Sequence, residues 1–159
     1  MNVLFLCVGN SCRSILAEAV FNQLAPPGWR AMSAGSQPTG QVHPRSLTLL
    51  TDQGISTDGL SSKSWDHLPR SPDIVITLCA AAAGEACPTY LAPALRSHWG
   101  VDDPAQATGT EAEIEAAFRR TYDILRSRIE AFLALSLDQL QPDSEPLKQQ
   151  LDAIGSLVP

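Results

Sequence analysis

The sequence predicts one α/β domain built on a four-stranded parallel sheet with helices on both faces. Short apolar runs alternate along the chain with stretches in which apolar residues recur at helical spacing, and this alternation is typical of a parallel sheet covered by helices. A length of 159 residues suits one domain with one core. The contents of 44% hydrophobic and 18% charged residues are ordinary for a globular protein, so we expect a single folded unit.

The first half of the chain contains two strand and helix units. Residues 3–7 form an apolar run typical of a buried strand, and residues 15–24 carry apolar side chains at helical spacing. A Pro-Pro-Gly turn at residues 26–28 separates this unit from a second strand predicted at residues 30–34. A second helix is expected over residues 44–54, because its first residue is a proline and its last a glycine.

The second half of the chain completes the sheet and ends in helices. Residues 73–79 form a continuous apolar run typical of a buried strand, and a shorter strand is predicted near residues 95–99. Apolar side chains over residues 111–135 follow the spacing of one long amphipathic helix. We therefore predict that residues 1–135 form the domain and that residues 136–159 are a helical extension packed on it.

Composition and charge exclude several classes of partner. A net charge of −6 opposes binding to nucleic acid or to an acidic membrane surface. No apolar stretch approaches the length that spans a bilayer, and no basic segment precedes the first apolar run as in a signal peptide. We therefore expect a cytoplasmic monomer without membrane or nucleic-acid partners. In that reducing compartment the four cysteines are expected to be catalytic, redox-active or metal-binding rather than structural disulfides.

The loop after the first strand combines a thiol with the features of an anion site. Cys7 closes the strand, and Arg13 follows six residues later, where a helix begins. Backbone N–H groups and the helix dipole attract an anion there, and the guanidinium can bind two oxygens of a tetrahedral oxyanion. These positive surroundings also favour the thiolate of Cys7. The alternative is a buried strand cysteine and a solvated arginine. The predicted oxyanion loop comprises Val8, Gly9, Asn10, Ser11, Cys12 and Arg13.

The other cysteines suggest a redox role. Cys79 ends the third predicted strand, at the same edge of the sheet as Cys7, and Cys87 follows eight residues later. Three thiols so arranged can pass a disulfide outward in two exchange steps. Inert buried cysteines are one alternative, and a zinc site is another that the ligand spacing does not favour. Cys12, next to Arg13, suits packing at least as well as a redox role.

A candidate general acid lies on the loop after the fourth predicted strand. Asp102 and Asp103 stand there, directly before Pro104. A carboxyl group in that place can protonate an oxygen that leaves the bound oxyanion. The residues alone leave both aspartates eligible, and acidic residues are also common in turns before proline without any catalytic role.

Five separated segments form a recognisable set in this order: CVGNSCRS at residues 7–14, SAG at 33–35, TLC at 77–79, CP at 87–88 and HWGVDDP at 98–104. Over roughly the first 135 residues the chain resembles the arsenate reductases built on the low-molecular-weight protein tyrosine phosphatase fold. The resemblance implies that Cys7 is the nucleophile and that the loop after it binds the anion. It also implies that Cys79 and Cys87 are the second and third redox cysteines, and it selects Asp103 as the general acid.

The implied reaction is the reduction of arsenate to arsenite, as part of arsenic detoxification. The thiolate of Cys7, hydrogen-bonded by Ser14, attacks arsenic while Asp103 protonates the departing oxygen. Cys79 then attacks the Cys7 sulfur and releases arsenite, and Cys87 takes over the disulfide. No bound cofactor is implied. An external thiol reductant, either thioredoxin or glutathione with glutaredoxin, would regenerate the protein, and phosphate or sulfate would mimic arsenate.

One position departs from the family members that have a structural potassium site. Those members carry residues that match Asn10, Glu18 and Ser33, but they have an aspartate where this chain has Lys63. We predict that the Lys63 ammonium takes the place of the cation, pairs with Glu18 and supports the loop, so that no metal is needed. The alternative is an ordinary exposed lysine.

A phosphatase is the closest alternative function, because phosphate and arsenate share shape and charge. That function needs only Cys7, Arg13 and Asp103, and it leaves Cys79 and Cys87 without a role. The residues after the Asp-Pro pair are Ala-Gln, whereas such phosphatases resemble one another in carrying a tyrosine pair there. A non-catalytic oxyanion-binding module is a further alternative, for which a nucleophile and an acid would be superfluous.

Overall fold

Strands and helices alternate in the computed structural model, which describes residues 1–79, 94–135 and 145–156. The strands are β1 (Asn2–Cys7), β2 (Arg30–Gly35), β3 (Ile74–Thr77) and β4 (Leu95–His98). The α-helices are α1 (Arg13–Leu24), α2 (Pro44–Asp52), α3 (Glu111–Leu133) and α4 (Glu145–Gly155). Single-turn 3-10 helices lie at Trp65–His67 and Pro104–Gln106. None of the helices in these ranges is long and apolar enough to cross a membrane.

The four strands form one parallel sheet in the order β2-β1-β3-β4. β1 pairs along its whole length with β2, from Asn2 opposite Arg30 to Cys7 opposite Gly35, and its other side pairs with β3. The predicted four-stranded parallel sheet is therefore confirmed. Because all strands point the same way, β1, β3 and β4 deliver their last residues to one edge of the sheet, where such folds place their sites.

The two faces of the sheet are covered by different elements. Along β1, Val3 and Phe5 belong to a large core cluster to which all four α-helices contribute buried side chains. Leu4 and Leu6 point the other way, as the alternation of a strand requires, and belong to a smaller cluster. The 3-10 helix that begins at Trp65 packs against this second cluster. Helical segments thus lie against both faces, as predicted.

Local capping sets where the helices begin. The hydroxyl of Thr110 accepts a hydrogen bond from the backbone N of Glu113 at 3.2 Å, and the Glu113 carboxylate accepts one from the backbone N of Thr110 at 3.5 Å. This capping box starts α3. α2 begins at Pro44, as predicted, and the His43 ring accepts a hydrogen bond from the backbone N of Arg45 at 3.1 Å.

The predicted extension over residues 136–159 is described in part. Its residues 136–144 and 157–159 lie outside the described residues. The described part is α4, which packs against β4 and α3. β4 is an edge strand in the observed order, and the buried side chains of α4 join the larger core cluster on the face of the sheet that Leu95 of β4 also faces.

Candidate active site

Cys7 ends β1 at the carboxyl edge of the sheet, and its side chain is buried and not in a disulfide. Its Sγ lies 2.9 Å from the Ser14 hydroxyl and 3.3 Å from the backbone N of Asn10, which donates to it. Asn10 has a φ of 47°, in the left-handed region that asparagine tolerates better than most residues. The sulfur is therefore placed where a hydroxyl and an amide N–H can both stabilise a negative charge.

The carbonyl groups of the loop after Cys7 point away from the sulfur. Those of Val8, Gly9 and Ser11 accept hydrogen bonds from the segment that follows β2 and from the side chain of Ser62. The donors to these carbonyls are Gln37 N at 2.9 Å, Thr39 N at 3.0 Å, His43 N at 3.1 Å, Ser62 Oγ at 3.2 Å and Ser46 Oγ at 3.2 Å. Because the carbonyls are held outward, the N–H groups of the loop are available on the inner side, the arrangement of an anion-binding nest.

A glycine lets this loop lie against the end of β2. A Cβ on Gly35 would stand 2.4 Å from the carbonyl oxygen of Val8 and 3.0 Å from the backbone N of Asn10. Both contacts are with backbone atoms, so a larger residue at position 35 would push the loop out of place.

Arg13, the first residue of α1, joins three parts of the site. Its guanidinium is almost completely buried, and Nη1 donates to the carbonyl oxygens of Leu78 and Val101, each at 3.2 Å. Its Nη2 lies 3.7 Å from Asp103 Oδ2. The predicted anion-binding arginine and the predicted acid are therefore neighbours, although 90 positions separate them in the sequence.

The structure distinguishes the two aspartates before Pro104. Asp103 is only partly exposed, its Oδ2 faces Arg13, and its Oδ1 accepts a hydrogen bond from the backbone N of Ala105 at 3.0 Å. Asp102 is exposed. Asp103 is thus oriented both by the 3-10 helix that follows it and by the arginine of the predicted anion loop.

Cys12 is buried just before Arg13, and its Sγ lies 3.6 Å from the Ser11 hydroxyl. Burial raises the pKa of Cys12 to about 11, and hydrogen bonding by Ser11 and Ser46 offsets only part of that rise. The side chain is therefore a protonated thiol near neutral pH, which suits a packing role better than a redox role.

Cys79 lies two residues beyond β3, at the same edge of the sheet as Cys7, and it is fully buried. It follows Leu78, whose carbonyl oxygen binds Arg13. Cys79 is part of a disulfide, whereas Cys7 and Cys12 are free thiols. Cys87, the predicted third cysteine of the relay, lies outside the described residues.

A polar network extends from the nucleophile to Lys63. The Asn10 side chain donates to Ser14 Oγ at 2.7 Å and to Ser33 Oγ at 3.0 Å, and Ser33 donates to Glu18 Oε1 at 2.6 Å. The Lys63 ammonium donates to the carbonyl oxygen of Ser33 at 3.1 Å. Lys63 and Glu18 thus meet through Ser33 rather than in a direct hydrogen bond.

Burial acts on both charged members of this network. It raises the pKa of Glu18, against the opposing effects of Ser33 and Lys63, and it lowers the pKa of Lys63, against the attraction of Glu18. Lys63 is therefore not the fully exposed lysine of the alternative prediction. Within the described ranges, no group of three His, Cys, Asp or Glu side chains could hold a metal ion.

Several residues that shape the site are not predicted by any pattern in the sequence. The segment of residues 37–46 and Ser62 hold the loop carbonyls through contacts that need no particular side-chain pattern. Arg128 of α3 donates to the carbonyl oxygens of Trp99 and Gly100, at 2.9 Å and 3.2 Å, and so holds the start of the Asp103 loop. The one available signal in the sequence is its spacing of three residues from Leu125 and four from Phe132, which places this charged residue on the apolar face of α3.

Comparison with known proteins identifies relatives over most of the chain. A family model described as low molecular weight phosphotyrosine protein phosphatase matches residues 2–145. The arsenate reductase of Halalkalibacterium halodurans is 40% identical over 131 residues, which cover 82% of this chain and 93% of the relative. The arsenate reductase of Bacillus subtilis (strain 168) is 38% identical over the same shares of both chains.

Solved structures give the same picture. An arsenate reductase from Archaeoglobus fulgidus DSM 4304 matches with a TM-score of 0.70 at 26% identity, over 82% of this chain and 98% of the other. An arsenate reductase in the phosphate binding state matches with a TM-score of 0.67 at 26% identity, over 84% and 96%. The thioredoxin-dependent arsenate reductase of Corynebacterium glutamicum matches with a TM-score of 0.61 at 27% identity, over 87% of this chain and 63% of the other.

Proposed function

Since the chain belongs to the low molecular weight phosphotyrosine protein phosphatase family, and within it to the arsenate reductases, we propose that it reduces arsenate to arsenite by a three-cysteine disulfide relay. The observation that carries the proposal is the convergence of Cys7, Arg13 and Asp103 at one edge of the sheet, next to the strand end that bears Cys79. A hydrolase needs the first three of these residues, and only a redox enzyme uses the fourth.

The first step forms a bond between Cys7 and arsenic. Arsenate binds the loop N–H groups and the Arg13 guanidinium, which neutralise its charge. The Cys7 thiolate attacks arsenic, an As–O bond breaks, and Asp103 gives its proton to the oxygen so that water leaves. Ser14 and the backbone N–H of Asn10 hold the sulfur in position for this attack.

The next steps move two electrons from sulfur to arsenic. The Cys79 thiolate attacks the Cys7 sulfur, an S–S bond forms, and the S–As bond breaks with its electron pair on arsenic, which leaves as arsenite. The Cys87 thiolate then attacks the Cys79 sulfur and releases the Cys7 thiolate.

A thiol reductant outside the chain closes the cycle. Thioredoxin is the first candidate, because one structural relative is described as thioredoxin-dependent, and glutathione with glutaredoxin is the second. We place this chemistry in the cytoplasm, in a monomer without a bound cofactor, where such reductants keep thiols reduced. Phosphate and sulfate should compete with arsenate, and one relative is described in a phosphate binding state.

The test is NADPH consumption that depends on arsenate, measured with thioredoxin and its reductase and separately with glutathione and glutaredoxin. Activity in either system, lost in Cys7→Ser, Cys79→Ser and Cys87→Ser, is the expected result. Cys87→Ser should also accumulate a Cys7–Cys79 disulfide that mass spectrometry detects. No NADPH consumption, together with rapid hydrolysis of an aryl phosphate, would show that the protein is a phosphatase instead.

Lys63 fills the role of a structural cation in this proposal. Its ammonium binds the carbonyl oxygens of Ser33 and Ser61, at 3.1 Å and 2.9 Å, and its backbone N binds Asn10 Oδ1 at 2.8 Å. A tethered positive charge beside Glu18 offsets the carboxylate without a metal ion. Asn10, which positions both Ser14 and Ser33, is thereby supported from the side opposite the nucleophile.

A further inference from the structure

Helix α4 begins where the part of the chain matched by the family model ends, at residue 145. It packs on β4, the strand that leads directly into the Asp103 loop. Leu147 and Leu151 of α4 are fully buried, and Ile154 is nearly so. They join Leu95 and Trp99 in the large core cluster, so α4 is an integral part of the fold at this edge.

Polar contacts fix α4 in one register along β4. They are Trp99 Nε1 to Leu151 O at 2.9 Å, Ser97 Oγ to Asp152 Oδ1 at 2.7 Å, and Lys148 Nζ to Arg96 O at 3.0 Å. The first is a buried hydrogen bond between a side chain of the strand end and the helix backbone, and such a bond is costly to leave unmade.

The last turn of α4 touches the backbone at the point where β4 ends. A Cβ on Gly155 would lie 2.5 Å from the carbonyl oxygen of His98 and 2.6 Å from Cδ1 of Trp99. The first of these atoms belongs to the backbone and the second to a fully buried ring. Glycine is therefore required for the observed approach of the helix to the strand.

The loop from Trp99 to Asp103 depends on a few anchors. A cavity of about 610 Å³ lies between residues 100–107 and the side chains of α3, so the loop is not packed tightly from that side. Its anchors are the backbone hydrogen bonds from Trp99 N to Thr77 O at 2.8 Å and from Val101 N to Leu78 O at 3.3 Å, together with Arg128 on the carbonyl oxygens of Trp99 and Gly100 and Arg13 on that of Val101. Asp103 comes two residues after the last of these anchors, so a shift of Trp99 that carries the anchors with it would change the position of the acid.

We propose that α4 positions the general acid, with Trp99 as the positioning residue through which it acts. By holding the indole ring and the end of β4, the helix keeps Asp103 beside Arg13 at the anion loop, where its carboxyl group can protonate the departing oxygen. The proposal rests on the proposed function, in which Asp103 protonates the departing oxygen. A displacement of about 1 Å at a catalytic group can cost up to about a hundredfold in rate.

Gly155→Ala is the variant that tests this role, because its new methyl group separates α4 from β4. The matched control is Gln150→Ala, which changes an exposed side chain of the same helix. We expect Gly155→Ala to lower kcat/KM for arsenate by about ten- to a hundredfold. The dissociation constant for phosphate and the rate of Cys7 alkylation by iodoacetamide should stay within about twofold of the unchanged protein, because loop and nucleophile are intact.

The decisive comparison repeats Gly155→Ala in an Asp103→Asn background. If α4 acts through Asp103, the added loss of kcat/KM should be less than about twofold there. If the losses of kcat/KM caused by Gly155→Ala and by Asp103→Asn multiply in the double variant, the proposal is overturned. Weaker phosphate binding in the Gly155→Ala single variant would overturn it as well. An Asp103→Asn protein with full activity would instead remove the acid from the proposed function, and the role of α4 with it.

If the melting temperature shows that Gly155→Ala does not fold, Trp99→Phe is the second variant that tests whether α4 acts on Asp103 through Trp99. It removes the hydrogen bond to Leu151 and keeps an aromatic ring in the core. The same loss of kcat/KM, with phosphate binding preserved, and the same lack of an added effect in the Asp103→Asn background are expected. Full activity of Trp99→Phe would count against the proposal.

Discussion

Nη2 of Arg13 lies 3.7 Å from Oδ2 of Asp103, while Nη1 of the same guanidinium binds the carbonyl oxygen of Leu78, one residue before Cys79. One buried side chain thus connects the anion loop, the candidate acid and the strand end that bears the second cysteine of the proposed relay. Its contacts use separate nitrogens in a planar arrangement, which a single ammonium group cannot reproduce.

Arg13→Lys should therefore lower activity although the charge is kept. We expect a loss of about a hundred- to a thousandfold in kcat/KM for arsenate, as for removal of a donor that stabilises transition-state charge. Steady-state kinetics measures it, and calorimetry with phosphate separates binding from chemistry. Arg119→Lys, at an exposed position on α3, is the matched control and should retain activity. Comparable losses in both variants would refute the special role of Arg13.

Ser14→Ala removes the hydroxyl that lies 2.9 Å from the Cys7 sulfur. The thiolate loses a hydrogen bond while the thiol is little affected, so alkylation of Cys7 by iodoacetamide at one fixed, near-neutral pH should be about tenfold slower. The second-order alkylation rate constant measures this loss. Ser71→Ala, which changes an exposed serine, should leave the rate unchanged. An unchanged rate in Ser14→Ala would show that the hydroxyl has no part in stabilising the thiolate.

Cys12 should react only in strongly alkaline solution. Burial raises its pKa to about 11 from an ordinary value of 9.0, so its thiol stays protonated in the folded protein between these two values. In a Cys7→Ser background, alkylation of Cys12 should reach half its maximal rate near pH 11, as mass spectrometry can follow. Because the folded state holds this proton more tightly, its contribution to stability declines as the pH rises from 9 towards 11. Rapid alkylation of Cys12 at neutral pH would contradict this.

Lys63 should make the protein insensitive to potassium. Turnover and melting temperature are expected to be the same in potassium chloride and in the chloride of a large organic cation. Lys63→Asp restores a carboxylate beside Glu18 and Ser33 and should make the melting temperature rise with potassium, whereas Lys63→Met should be less stable without that response. A strong increase in turnover of the unchanged protein with potassium would contradict the role given to Lys63.

The parts of the fold that follow from side-chain periodicity were predicted well. β1 and α1 were predicted because the apolar run before Cys7 and the helical spacing after Arg13 depend only on which residues are buried. The parallel sheet followed from their repetition along the chain. β3 ends at Thr77, two residues earlier than predicted. Leu78 and Cys79 are buried like the strand residues before them, so the apolar run in the sequence is longer than the strand itself.

The site was harder to predict where backbone atoms make the contacts. The residues alone left Asp102 and Asp103 equally eligible, and the position of Asp103 beside Arg13 is a tertiary contact that no local pattern records. Lys63 and Glu18 interact through their charges, while the hydrogen bond of each goes to Ser33. Lys63 lies 30 positions after Ser33 in the sequence, and no local pattern indicates that its ammonium group contacts the Ser33 carbonyl oxygen.

The outward hydrogen bonds of the loop carbonyls have a thermodynamic consequence. Because residues 37–46 and Ser62 already hold Val8, Gly9 and Ser11, the loop does not need to become ordered when an anion arrives. The entropy of arranging those N–H groups is lost once, when the chain folds, and it does not weaken each binding event. An oxyanion therefore binds to a loop that already has the conformation that binding requires.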